Sequence, residues 1–140
     1  MTRLPIFFLT TAAIFAVLGM LWGIQMSASH DHTLSPAHGH LNLIGFVALA
    51  VFGFYYALTP EAARSGLAKL HYGLSVATVL VLVPGIVLAI TERGETFAQI
   101  GSLLAVLTMV LFVFILLRHG FGATDADNRR PVAGNPNPAE

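Results

Sequence analysis

Four apolar blocks, at residues 5–26, 41–58, 70–90 and 97–117, decide what this chain can fold into. Each is 18 to 22 residues long, the length an α-helix needs to cross roughly 30 Å of hydrocarbon. A backbone in lipid must satisfy its own N–H and C=O groups, which a helix does within one segment. Alternating β-barrel patterning is absent. With 56% hydrophobic and 10% charged residues, the 140-residue chain is too apolar for a soluble surface. The expectation is an all-α, four-transmembrane-helix bundle over residues 1–122. A polar tail at 123–140, rich in Pro, Asn, Asp and Ala, has no apolar face and is expected to be disordered.

The first block is longer than a signal-peptide core and has only Arg3 before it, so it reads as a retained anchor. Ser35-Pro36 predicts an N-cap followed by Pro at the first helical position, opening the second helix. Thr59-Pro60 repeats the device, so the third helix can begin as early as Glu61. TERGET at 91–96 predicts a polar turn around Gly94. If the N-terminus is cytoplasmic, Arg3, Arg64, Lys69, Arg118, Arg129 and Arg130 lie inside and only Arg93 outside. The positive-inside rule then puts both termini in the cytoplasm. The loop between the first two helices faces the periplasm of a bacterial inner membrane.

That loop carries the chemistry. SHDHTLSPAHGHLNLIGF, residues 29–46, holds His30, His32, His38 and His40, four of six histidines. Imidazole is the commonest metal ligand, and polar side chains at membrane depth point to function. His38 and His40, two residues apart on a helix, stand about 200° apart. His40 is expected to face the bundle interior and His38 the loop. His32, His38 and His40 are candidate ligands for copper or zinc; the alternative is a solvated His-rich loop. His71, within LAKLHYGLSVATVL, is expected to be buried in the third helix. There it either hydrogen-bonds a neighbouring helix or serves as an axial haem ligand.

Lesser candidates are Met20 and Met26, read as packing, and Asn42, placed to hydrogen-bond a histidine. Tyr55 and Tyr56 are read as an interfacial aromatic pair. Gly19-x-x-x-Gly23 is a close-packing motif, and His119 is expected at the solvated surface. Zero net charge gives no field for nucleic acid. The absence of cysteine removes disulfides and thiol chemistry. No paired carboxylates, phosphate loop or nucleophile–base set is present for hydrolysis.

PAHGHLNLIGFVALAVFGFYYAL resembles the second transmembrane helix of haem–copper oxidase subunit I, the nitric oxide reductases included. LHYGLSVATVL is similar to the later family helix bearing His-Tyr-x-Leu-Ser. The resemblance covers about a third of the chain and implies His40, or His38, together with His71 as ligands of a low-spin haem b. The family's copper-helix histidine pair is absent here. Lys69 stands where the active-site haem histidine would be, so oxygen reduction does not carry over. Electron transfer or redox and gas sensing is the function implied; a cofactor-free accessory subunit is the structural alternative. The family's twelve helices form three four-helix arcs, which implies a homo-oligomer of this chain, a trimer rather than a dimer. Counting back from the turn at Thr59, His71 is expected opposite Val47, roughly 10 Å deeper than His40.

Overall fold

The computed structural model describes residues 3–122, and the expected tail at 123–140 lies outside them. Six α-helices and one π-helical segment run in order. They are α1 (Leu4–Ser29), α2 (Ser35–His40), a π segment (Leu41–Ala48), α3 (Leu49–Leu58), α4 (Pro60–Arg64), α5 (Gly66–Ile90) and α6 (Thr96–His119). Since α2, the π segment and α3 form one continuous rod, four helices are long and apolar enough to cross a membrane: Leu4–Ser29, Ser35–Leu58, Gly66–Ile90 and Thr96–His119. Among the described residues there is no strand. The all-α four-span architecture is as expected, and it makes this a multi-pass membrane protein.

The apolar faces explain why. Leu117 is 83% exposed and Leu103 72%, and large apolar side chains are exposed on all four spans. A water-facing surface of that kind aggregates, whereas lipid covers it at no cost. The bundle interior is built from aromatic and small residues. Phe8, Phe52, Tyr56 and Ile115 fill it, and Ala12, Ala62 and Ala68 let the backbones approach.

Helix pairing follows from small residues. α1 packs on the π segment and α3, and α5 on α6. A Cβ on Gly85 would stand 2.5 Å from the Ala98 backbone nitrogen, and one on Gly101 2.5 Å from the Leu82 Cα. These two glycines therefore set the α5–α6 spacing. Thr78 and Thr108 hydroxyls meet between the same helices at 3.0 Å. One donates to the other, and the acceptor passes its own proton to the carbonyl four residues back, Leu74 or Leu104. Pro84 sits inside α5, where lipid-embedded helices tolerate it.

The boundaries differ from expectation in two places. Ser35 is the first helical residue rather than the cap, and Leu34 precedes it. The Ser35 hydroxyl donates to the His32 carbonyl instead of accepting from the N–H groups of the first turn. The third span does not begin at Glu61. Pro60–Arg64 is a separate short helix, and Ser65 in extended conformation caps α5 by accepting from Ala68 N at 3.2 Å. The TERGET turn forms as read, with Gly94 at φ +126° and Glu92 at φ +58°.

Candidate functional site

The histidine end of the bundle is built on three local devices. α1 stops because His30 adopts a left-handed conformation, φ 56°, the usual way a helix terminates. Asp31 then accepts from Thr33 N at 2.9 Å. The Thr33 hydroxyl and backbone N–H together hold the Asp31 carboxyl below its ordinary range. Ser35 and Pro36 open α2, whose last residue, His40, passes directly into the π segment. Such segments are rare and recur at functional sites.

The two α2 histidines face opposite ways, but in the reverse sense to that expected. His38 turns toward α1. It meets the Trp22 ring edge-on at 6.1 Å, lies beside Gly23, and has Asn42 Nδ2 at 3.2 Å from its Nε2. Asn42 also donates to the His38 carbonyl at 3.0 Å, so it does bond a histidine. Asn42 itself fits against Gly19, where a Cβ would collide with its amide. The Gly19-x-x-x-Gly23 motif thus seats Asn42 and His38 of the same chain. His40 is exposed, and its Nδ1 lies 2.7 Å from the Pro36 carbonyl oxygen. A carbonyl only accepts, so Nδ1 carries the proton and the Nε2 lone pair points away from the helix. The inversion has a simple cause. The narrow Gly19–Gly23 face of α1 admits the side chain at 38, leaving 40 on the far side.

Among the described residues, no three His, Asp or Glu side chains stand close enough to hold one metal ion. His32, His38 and His40 are therefore not brought together within one chain.

His71 is fully buried. Its Nδ1 and the Tyr56 hydroxyl are hydrogen-bonded at 3.0 Å, and its Nε2 is buried without a partner. Phe52 lies 4.5 Å from it, centroid to centroid. Phe112 stacks at 5.5 Å and 12°, and Phe8 closes a third side at 5.6 Å. An adjacent cavity lined by Ile44, Phe52, Ser75, Thr78 and Thr108 measures about 130 Å³, below the roughly 300 Å³ at which ligand pockets begin. A haem macrocycle does not fit against His71 in this packing, although the orphaned nitrogen is of the right chemistry.

The depth expectation is also corrected. His71 stands level with Phe52 and Tyr56, 12 to 16 residues beyond His40 in the sequence, so roughly 20 Å from it at 1.5 Å per residue. The reversal occupies residues 59–65 with α4 inserted, which moves the fold-back point three residues past Thr59. One chain cannot span one haem with His40 and His71.

Other candidates settle plainly. Met20 is exposed and Met26 buried. Tyr55 and Tyr56 lie near the end of their span as read and are buried among the helices, and the Tyr55 hydroxyl donates to the Gly120 carbonyl at 3.0 Å. His119 is not a solvated surface residue. Its side chain is 11% exposed, with Nδ1 4.0 Å from Glu61. No signal in the sequence marked the π segment or the Tyr56–His71 pair; a buried histidine needing a partner was legible, its identity was not. No family model matches the chain, and neither a curated protein nor a solved structure does.

Proposed function

We propose that the chain is an integral membrane b-type haem protein, serving electron transfer or redox and gas sensing, in which His40 would supply an imidazole ligand at a contact between copies. The observation that carries this reading is the His40 ring, exposed and held through Nδ1 by the Pro36 carbonyl. Metal-binding histidines are held in that way, and the bond fixes the tautomer and raises the basicity of the other nitrogen. Haem b, when bound, supplies one-electron chemistry at its iron. The chain's part is to present Nε2, to orient it through Pro36, and to offer apolar surface beside it. Exposed Leu43 and Val47 follow His40 on the same rod and supply that surface.

The resemblance to haem–copper oxidase subunit I supports the same residue. The absence of the copper-helix histidine pair speaks against oxygen reduction. Placing the site between copies follows from the packing at His71, and the twelve-helix analogy favours a trimer over a dimer. The positive-inside distribution supports a periplasmic His40 in a bacterial inner membrane.

A second reading is a copper or zinc site using His32, His38 and His40. Since no three such side chains meet within one chain, it would draw ligands from more than one copy, and the exposed His32 and His40 are open to such a contact. One absorbance spectrum with metal analysis separates the two. The haem reading expects a Soret band with iron, lost in His40→Ala and retained in His71→Phe. A colourless protein with stoichiometric copper or zinc moves the assignment to the second reading. A colourless, metal-free protein overturns both. A detergent-solubilised mass equal to the monomer overturns the placement between copies.

A further inference from the structure

Halfway along the spans, three of the four helices enclose the cavity of about 130 Å³ near His71. The π segment gives Ile44 and Ala48, α5 gives Ser75 and Thr78, and α6 gives Ala105, Thr108 and Met109. The midpoints of these spans fall at residues 46–47, 78 and 107–108, so the cavity lies at the depth of the hydrocarbon centre. The void has a cause in the sequence. On one side the Phe52 and Phe112 rings touch at 4.5 Å and fill the space between the rod and α6. One turn along the rod from Phe52 the side chain is Ala48, and two turns along α6 from Phe112 it is Ala105. Short side chains on both walls leave the gap open. Its floor, Phe52, Ser75, Thr78 and Thr108, is buried. Its mouth is half-buried Ile44, Ala48 and Ala105 together with Met109, which is 48% exposed, so the opening faces the lipid.

We propose that this cavity takes up one compact apolar molecule, up to the size of a single aromatic ring, from solution in the bilayer. Three observations select that class. The volume is close to that of an engineered apolar cavity of roughly 150 Å³ that stays dry and binds benzene or xenon. The polar atoms in the wall have nothing to offer a guest. Ser75 donates to the His71 carbonyl at 2.6 Å. Thr78 and Thr108 share one bond at 3.0 Å, and the remaining proton goes to a main-chain carbonyl. A water held there would find no free donor, and a buried water needs two to four polar partners. The walls are also short. Ser75–Thr78 and Ala105–Met109 are each about one helical turn, roughly 6 Å at most, which suits a compact molecule rather than an acyl chain lying along the helices. Met109 at the mouth is unbranched and flexible, able to move aside and close again. The site uses none of the histidines and stands whether or not a haem is bound at His40.

Methyl NMR of the full chain in lipid nanodiscs, labelled at Met and Ala and titrated with xenon, tests this directly. The expected result is a saturable shift of the Met109, Ala48 and Ala105 methyls. Met20, 60% exposed on α1 and away from the cavity, should drift only in proportion to xenon pressure, as any lipid-facing methyl does. Ala48→Leu and Ala105→Leu fill the void from opposite walls, and each should abolish the saturable shift at Met109. If a filling variant fails to fold, the titration of the unaltered chain still decides. A Met109 shift that never saturates, or that follows Met20, overturns the proposal. So does a saturable shift that survives in a folded filling variant. Cross-relaxation from the Ala48 methyl to water would show a hydrated cavity, and a cross-peak to lipid chain protons that xenon does not displace would show an acyl chain in it. Either result overturns the assignment.

Discussion

At the scale of single residues, the deepest polar pair is the best test of what a buried histidine does here. Tyr56 and His71 satisfy each other at 3.0 Å, inside a shell of Phe8, Phe52 and Phe112. Tyr56→Phe leaves both ring nitrogens of His71 unpartnered. Stranding a buried polar group costs about 1–3 kcal/mol. Replacing both partners by apolar rings removes that penalty, so the double variant Tyr56→Phe, His71→Phe should recover most of the loss. Thermal unfolding in detergent measures both. A double variant less stable than Tyr56→Phe alone would show that His71 contributes something beyond its bond to Tyr56. The His38 and His40 pair carries the opposite lesson. Neighbouring histidines of one motif have different fates: one is spent on packing against Trp22 and Asn42, the other is left with a free Nε2.

At the scale of elements, glycines decide the spacing. Gly101 lets α6 touch the α5 backbone at Leu82, so Gly101→Ala forces the helices apart. Overpacking of this kind costs about 1–3 kcal/mol. Gly73, on α5 with nothing within 4 Å of its would-be Cβ, is the control. Gly73→Ala should stabilise by about 1 kcal/mol through helix propensity, and paired melting curves in one detergent check both. The four spans and the 91–96 turn were legible because length and hydropathy dictate them. The contact roles of Gly85 and Gly101 were not, since a glycine in an apolar run looks the same whether or not a neighbour touches it. The π segment was equally hidden. Its i+5 bonding changes no composition, only the phase between α2 and α3. Which histidine faces inward is decided by the Gly19–Gly23 face of α1 that receives His38, a tertiary contact, which explains why the outer cluster was found from the sequence and its geometry was not.

At the scale of the whole molecule, the remaining question is which way the bundle stands in its membrane, and the chain is well suited to answer it. Arg3 and His119 lie at one end, joined through α4, and the His30–Leu34 turn and the Glu92–Glu95 turn at the other. Six of seven cations belong to the first end or to the segment beyond it, so the positive-inside rule predicts that end to be cytoplasmic. The sequence has no cysteine, and each introduced thiol is therefore a unique probe. Thr33→Cys and Glu95→Cys should react with a membrane-impermeant maleimide on intact spheroplasts. Gly66→Cys, exposed at the other end, should react only after the membrane is opened. The reverse pattern would put His40 on the cytoplasmic side. That outcome would take from the haem proposal its periplasmic placement. It would leave untouched the His40 geometry.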